Sequence, residues 1–156
     1  MMEAQVMQPR INYGEVAPDA VKAMRGLEKY VSSSGLERPL YELIKIRASQ
    51  INGCAYCIDM HTKDARKAGE TEQRIYALNA WRETPFYTER ERAALAWTEA
   101  LTLISENDVS DDLYEKVGEH FTEEERVAIT MAIVAISGWN RLAISFRTVP
   151  GTYVPK

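Results

Sequence analysis

The stretch "PLYELIKIRASQINGCAYCIDMH", Pro39 to His61, decides the fold. Leu40, Leu43, Ile44, Ala48 and Ile51 recur at helical spacing and form one apolar stripe. Pro39 suits a first helical turn, where its missing N–H is not needed. An Asn-Gly pair between two alternating segments would signal a hairpin, but helical periodicity lies on both sides of Asn52-Gly53. The pair therefore reads as a left-handed cap that ends one helix just before another begins. That second helix, roughly Ala55 to Ala68, carries Lys63, Arg66 and Lys67 in its last turns and Gly69 beyond them, the usual chemistry of a helix stop. Cys54 and Cys57 thus fall at a helix N-terminus.

Outward from this pair the pattern stays helical. Ala17-Pro18-Asp19 opens a helix with Val21, Met24, Leu27 and Val31 on one face, closed by three serines and Gly35. Thr71 can cap a helix carrying Ile75, Leu78 and Trp81, which Pro85 interrupts. Thr88 to Glu91 and Thr122 to Glu125 each have the capping-box pattern, and Ser110 can cap a short helix through Leu113 and Val117. The helix after Thr122 runs to about Phe146. From Val127 to Trp139 only Thr130, Ser137 and Gly138 break its apolar run, a run too short to span a membrane but suited to the core or an oligomer interface. No stretch alternates apolar and polar residues long enough for a strand. The expectation is one all-α domain over residues 1–156, a compact bundle of about six to seven helices. The tail "TVPGTYVPK" reads as an arm packed on a neighbour or loose in solvent.

A chain of 156 residues with 46% hydrophobic and 27% charged residues can bury one real core. Its 19 basic and 23 acidic residues give a formal net charge of -4 with no basic block, which argues against nucleic acid as a partner. The start carries Glu3 and Arg10 and no continuous apolar stretch, so neither a secretory leader nor a membrane anchor is expected. The default location is cytoplasmic. In a reducing compartment, two cysteines three residues apart are more readily a reactive or metal-binding pair than a structural staple.

On a helix, Cys54, Cys57 and His61 share one face at i, i+3 and i+7. The helix dipole and free N–H groups of the first turn favour thiolate over thiol. A thiolate that attacks a peroxide becomes a sulfenic acid, and a second thiol one turn away can condense with it to a disulfide, with an imidazole near enough to move the proton. Zinc is the rival reading, with His120 or a carboxylate as fourth ligand. Structural zinc sites usually draw a second close-spaced ligand pair, which His120 lacks, so no metal is expected. Covalent haem fails because Ile58 stands where the histidine must be, and a thioredoxin module fails for want of strands. Buried, inert cysteines are the remaining alternative.

"YELIKIRASQINGCAYCIDMHTKDARKAGETEQRIYAL", followed by "ERAALAWTEALT" and "GWNRLAISFR", resembles the alkylhydroperoxidase D and carboxymuconolactone decarboxylase family over about residues 8 to 150. The resemblance to the peroxidase branch implies a peroxidatic Cys57, a resolving Cys54, and a proton relay of Glu42 and His61. From periodicity alone Glu42 reads as a solvated helix residue. The resemblance also implies an all-helical homo-oligomer, often a trimer or hexamer, that reduces hydrogen peroxide or organic hydroperoxides without flavin, haem or other cofactor. Its electrons would come from a lipoyl or thioredoxin-like dithiol protein. Some peroxidase members have a histidine where Tyr56 stands, and Tyr56 reads as a packing residue. Trp139-Asn140-Arg141 reads as structure or interface. The other branch would make the protein a lyase on a small lactone acid with His61 as base, and a third alternative is a non-enzymatic oligomer that senses redox state.

Overall fold

The computed structural model describes residues 6–156; Glu3 lies outside the described residues. Every regular element among them is helical: α1 (Tyr13–Val16), α2 (Pro18–Ser33), α3 (Arg38–Asn52), α4 (Ala55–Lys67), α5 (Glu72–Tyr76), a 3-10 segment (Leu78–Glu83), α6 (Glu89–Thr102), α7 (Asp111–Gly118) and α8 (Glu123–Phe146). The six of eight residues or more match the expected bundle, and three short elements come in addition.

The ends of these helices follow local chemistry. Pro18 opens α2, and Gly35 leaves it at φ 83°. Gly53 takes φ 69°, a conformation a Cβ would strain, and lets the Cys54 N–H return to the Ser49 carbonyl at 3.0 Å. Both capping boxes are complete, Thr88 with Glu91 and Thr122 with Glu125. The one expected helix capped by Thr71 and carrying Ile75, Leu78 and Trp81 is instead two pieces: α5 ends at Tyr76, and within the 3-10 segment that follows Ala80 departs from helical angles (φ -119°, ψ 28°). The Trp81 indole lies in the core and donates to Glu99 at 2.8 Å.

Helix α3 is the hub and packs against α4, α6 and α8, while α2 lies along α8. Leu40 to Ile46 are all buried, so α3 has a core on more than the one stripe its sequence shows. Leu43, Ile46 and Leu95 form one cluster with Leu78, and Ile44, Ala94 and Ile129 form another with Val117. A third, smaller cluster contains Ala48, Cys54, Cys57, Ile136 and Ala143. The apolar run of α8 belongs to a helix of 24 residues, which by length and composition could cross a membrane; just under half of its most apolar window is buried within this chain. Val127, Val134 and Ile144 remain exposed on it.

The C-terminal arm neither floats nor needs a neighbour to hold it. It turns back onto α4 of its own chain, where Lys63 Nζ meets the Tyr153 carbonyl at 3.1 Å and Lys67 Nζ meets that of Pro155 at 3.2 Å. Basic residues that serve the α4 C-terminus electrostatically thus also bind the unpaired carbonyls of an irregular segment.

Candidate active site

Cys54 is the N-cap of α4, and its sulfur accepts the Cys57 N–H at 3.4 Å. The two thiols are free and their sulfurs lie 2.6 Å apart, side by side but not joined. The hydrogen bond that Cys57 donates to Cys54 outweighs the cost of burial, and with the backbone N–H groups of Cys57 and Tyr56 and the Asn140 amide it brings the Cys54 thiol down to about 7. The same hydrogen bond, with burial and the charge on Cys54, pushes the Cys57 thiol up. One proton and one negative charge are therefore shared by the pair, which releases its first proton easily and holds the second.

Access distinguishes the two sulfurs. Both are buried, at 1% for Cys54 and 3% for Cys57, but Cys57 and not Cys54 lines a cavity of about 710 Å³, together with His61, Tyr13, Tyr56, Met60 and Trp139. The segment before α1 forms part of the wall, fixed where Arg10 donates its N–H to the Phe146 carbonyl at 2.9 Å and its guanidinium to that of Ser145 at 2.9 Å. Trp139 is held by its indole N–H, which donates to Glu28 at 3.2 Å; the Tyr41 hydroxyl donates to the same carboxylate. Tyr56 packs against the cysteine cluster, and its hydroxyl makes no hydrogen bond among the described residues.

Behind the cavity lies a buried line of charge. Glu42, 4% exposed, sets Oε1 at 3.2 Å from Lys45 Nζ and Oε2 at 3.5 Å from His61 Nδ1. The solvated position that periodicity suggests for Glu42 is wrong, because α3 is covered on the face that would have been its outer one. Burial alone would raise the Glu42 carboxyl, but the His61 imidazole and the Lys45 ammonium together hold it below the usual carboxylate range. Glu42 Oε2 and His61 Nδ1 have no hydrogen-bond partner within the described residues, so two groups able to exchange a proton face each other across a narrow gap. Asp64 Oδ2 stands 3.9 Å from the same Nδ1, and the Tyr153 hydroxyl donates to Asp64 Oδ1 at 2.7 Å.

Glu42, His61 and Asp64 also form the one group among the described residues with potential metal-ligand atoms all within 4.8 Å of one another. The cysteines stand outside it, and the Lys45 ammonium already opposes the Glu42 charge. His120 is remote from the group, at the corner between α7 and α8, where its carbonyl accepts from Arg90.

All four residues expected in the site converge here. Asn140, expected to be structural or interfacial, is 1% exposed beneath the cysteines, donating to Ser49 at 3.0 Å and accepting from Asn52 at 3.0 Å. An amide inside an apolar helix was its only signal. Lys45 and Asp64 could have been found at i+3 from Glu42 and His61; nothing in the sequence marked Tyr153.

The carboxymuconolactone decarboxylase family profile matches residues 18–100, more than half of the chain and the whole of the α3–α4 site. The chain belongs to this family. The uncharacterized protein YdfG of Bacillus subtilis is 52% identical over 139 residues, covering 89% of this chain and 95% of the relative. A crystal structure from Agrobacterium tumefaciens, of a protein of unknown function provisionally described as the antioxidant defence protein AhpD, superposes with a TM-score of 0.90 at 51% identity. The match covers 94% of this chain and all of that one. Alkyl hydroperoxide reductase AhpD of Hyphomonas neptunium is 38% identical over 47 residues, 30% of this chain and 26% of the relative. This carboxymuconolactone decarboxylase family member therefore has the alkylhydroperoxidase D-like fold.

Proposed function

We propose that this protein is a thiol peroxidase that reduces hydroperoxides through a Cys54–Cys57 disulfide cycle. The observation that carries the reading is the adjacent free thiol pair, one sulfur opening on a cavity and the other enclosed behind it. Family membership supports a peroxidase-related function in the broad sense.

Cys57 is the nucleophile because it faces the cavity. The proton it shares with Cys54 moves onto the Cys54 sulfur, and the Cys57 thiolate attacks one peroxide oxygen. The O–O bond breaks, the alkoxide takes a proton from His61 or solvent and leaves as alcohol, and Cys57 becomes a sulfenic acid. The Cys54 sulfur attacks that sulfur, the S–O bond breaks, and water leaves as the disulfide forms. His61 accepts and returns protons, with the Glu42 carboxylate opposite its Nδ1 as the second group of the relay. A dithiol protein of the lipoyl or thioredoxin-like kind then supplies two electrons and two protons to restore the thiols. No cofactor enters these steps. The exposed Val127, Val134 and Ile144 of α8 support contact with further copies of the chain, in a trimer or hexamer.

Steady-state consumption of cumene hydroperoxide, followed with dihydrolipoamide as reductant, tests the reading. Turnover is expected in the wild type and absent in Cys57→Ser; turnover retained by Cys57→Ser would remove Cys57 from its role.

A further inference from the structure

The C-terminal arm is tied to α4 at several points. The Gly151 N–H donates to Asp59 Oδ2 at 3.1 Å, and Lys63 Nζ joins the same oxygen, at 2.9 Å, to the carbonyls of Gly151 and Tyr153, at 3.4 and 3.1 Å. With Lys67 on Pro155, these bonds fix a segment that has no secondary structure of its own. What they deliver is one phenol, Tyr153, onto one carboxylate, Asp64, whose other oxygen faces His61 Nδ1.

Building on the peroxidase reading, we propose that Asp64 is a positioning residue for His61 and that Tyr153 sets Asp64, so that the C-terminal arm is a working part of the site. The His61 Nδ1 atom lies between two carboxylate oxygens, Glu42 Oε2 at 3.5 Å and Asp64 Oδ2 at 3.9 Å. Both are acceptors, so the neutral ring keeps its proton on Nδ1 and leaves Nε2 bare to receive one. The two carboxylates differ in charge balance. Glu42 is matched by the Lys45 ammonium at 3.2 Å, whereas Asp64 has no lysine or arginine within ion-pair distance among the described residues. Asp64 therefore holds the uncompensated negative charge that an imidazolium at His61 requires. Groups facing the ring are Glu42 with Lys45 behind it from α3 and Asp64 from α4, with Tyr153 beyond Asp64 from the arm, and Cys57 lines the same cavity.

Tyr153 makes that charge directional. By binding Oδ1 at 2.7 Å it keeps the carboxylate from turning away, and Oδ2 stays toward the ring. The bond to Asp64, with some burial, pushes the Tyr153 hydroxyl up to about 12, so it remains a donor throughout the neutral range. A metal-ligating histidine uses the same device, in which a carboxylate behind the ring fixes tautomer and orientation.

The test uses the full chain in a His120→Gln background, so that His61 is the single histidine, and compares Tyr153→Phe, Asp64→Asn and the double variant after thermal melts establish that each is folded. Two readouts are taken: the rate of thiol loss with one equivalent of cumene hydroperoxide, and the imidazole 15N shifts. Asp64→Asn is expected to slow thiol loss roughly 10- to 100-fold, by analogy with loss of the partner behind a metal-bound imidazole. Tyr153→Phe is expected to slow it roughly threefold to tenfold, with the double variant no slower than Asp64→Asn because both act through one contact. The 15N shifts should move from a fixed Nδ1–H tautomer to averaged values in both single variants. Unchanged shifts and rate in Asp64→Asn, or effects of the two substitutions that simply multiply, would overturn the proposal. If even the unsubstituted chain lost no thiol, the peroxidase reading would fall, and the 15N comparison would still decide whether Asp64 and Tyr153 position the ring.

Discussion

Replacing Cys57 by alanine removes the hydrogen bond that does most to lower the Cys54 thiol, while leaving the backbone N–H donors, the Asn140 amide and the burial in place. Cys54, at about 7 in the intact pair, should then move back toward the ordinary thiol value of about 8.5. That difference is worth roughly 2 kcal/mol, and at pH 7 it cuts the thiolate fraction from about one half to about 3%, some fifteen-fold. Thiolate absorbance at 240 nm, followed from pH 5 to pH 10 on the fully reduced protein, reads the change without requiring a reagent to reach the enclosed sulfur. The wild type should give one step near neutrality and no second step in the accessible range, and Cys57→Ala one step moved up by more than one pH unit. The same shift appears in stability. A thiol lower in the folded than in the unfolded chain stabilises the fold fully above about pH 8.5 and loses that contribution as pH falls through about 7. The urea midpoint of the reduced wild type should therefore rise between pH 6.5 and 8.5, and that of Cys57→Ala should stay nearly flat. An unshifted step near pH 7 in Cys57→Ala would refute the shared-proton description of the pair.

Asn140→Ala leaves the Ser49 hydroxyl and the Asn52 amide without their buried partner and should cost about 2 kcal/mol in urea unfolding, while raising the 240 nm step by weakening one donor to the sulfurs. Thr122→Ala breaks the capping box that opens α8 and should cost about 1 kcal/mol in the same assay, with hydroperoxide turnover unchanged because the cap is at the other end of α8 from Asn140, the residue that meets the thiol pair.

What could be read from sequence was what neighbours along the chain decide. Gly53, Thr88, Ser110 and Thr122 all sit where their local chemistry placed them, since a cap is a contact within about four residues. The spacing of Cys54, Cys57 and His61 was legible for the same reason. Glu42 was not, because its burial depends on helix α4 closing over α3, and a polar residue on a helix gives no sign of that. Asn140 under the cysteines and Tyr153 over Asp64 are contacts across some 90 residues of chain, fixed only by how α8 and the arm fold back. The short α1 and the kink at Ala80 leave no mark in the sequence because neither shows helical periodicity over more than one turn.

The most direct test of the disulfide cycle is a single oxidation. Fully reduced protein, mixed with one equivalent of cumene hydroperoxide and sampled for intact mass and free thiols, should lose both thiols and about two mass units, with Cys57→Ser unchanged over the same period. Two thiols still free after hours in the wild type would contradict the account and return the pair to a packing role.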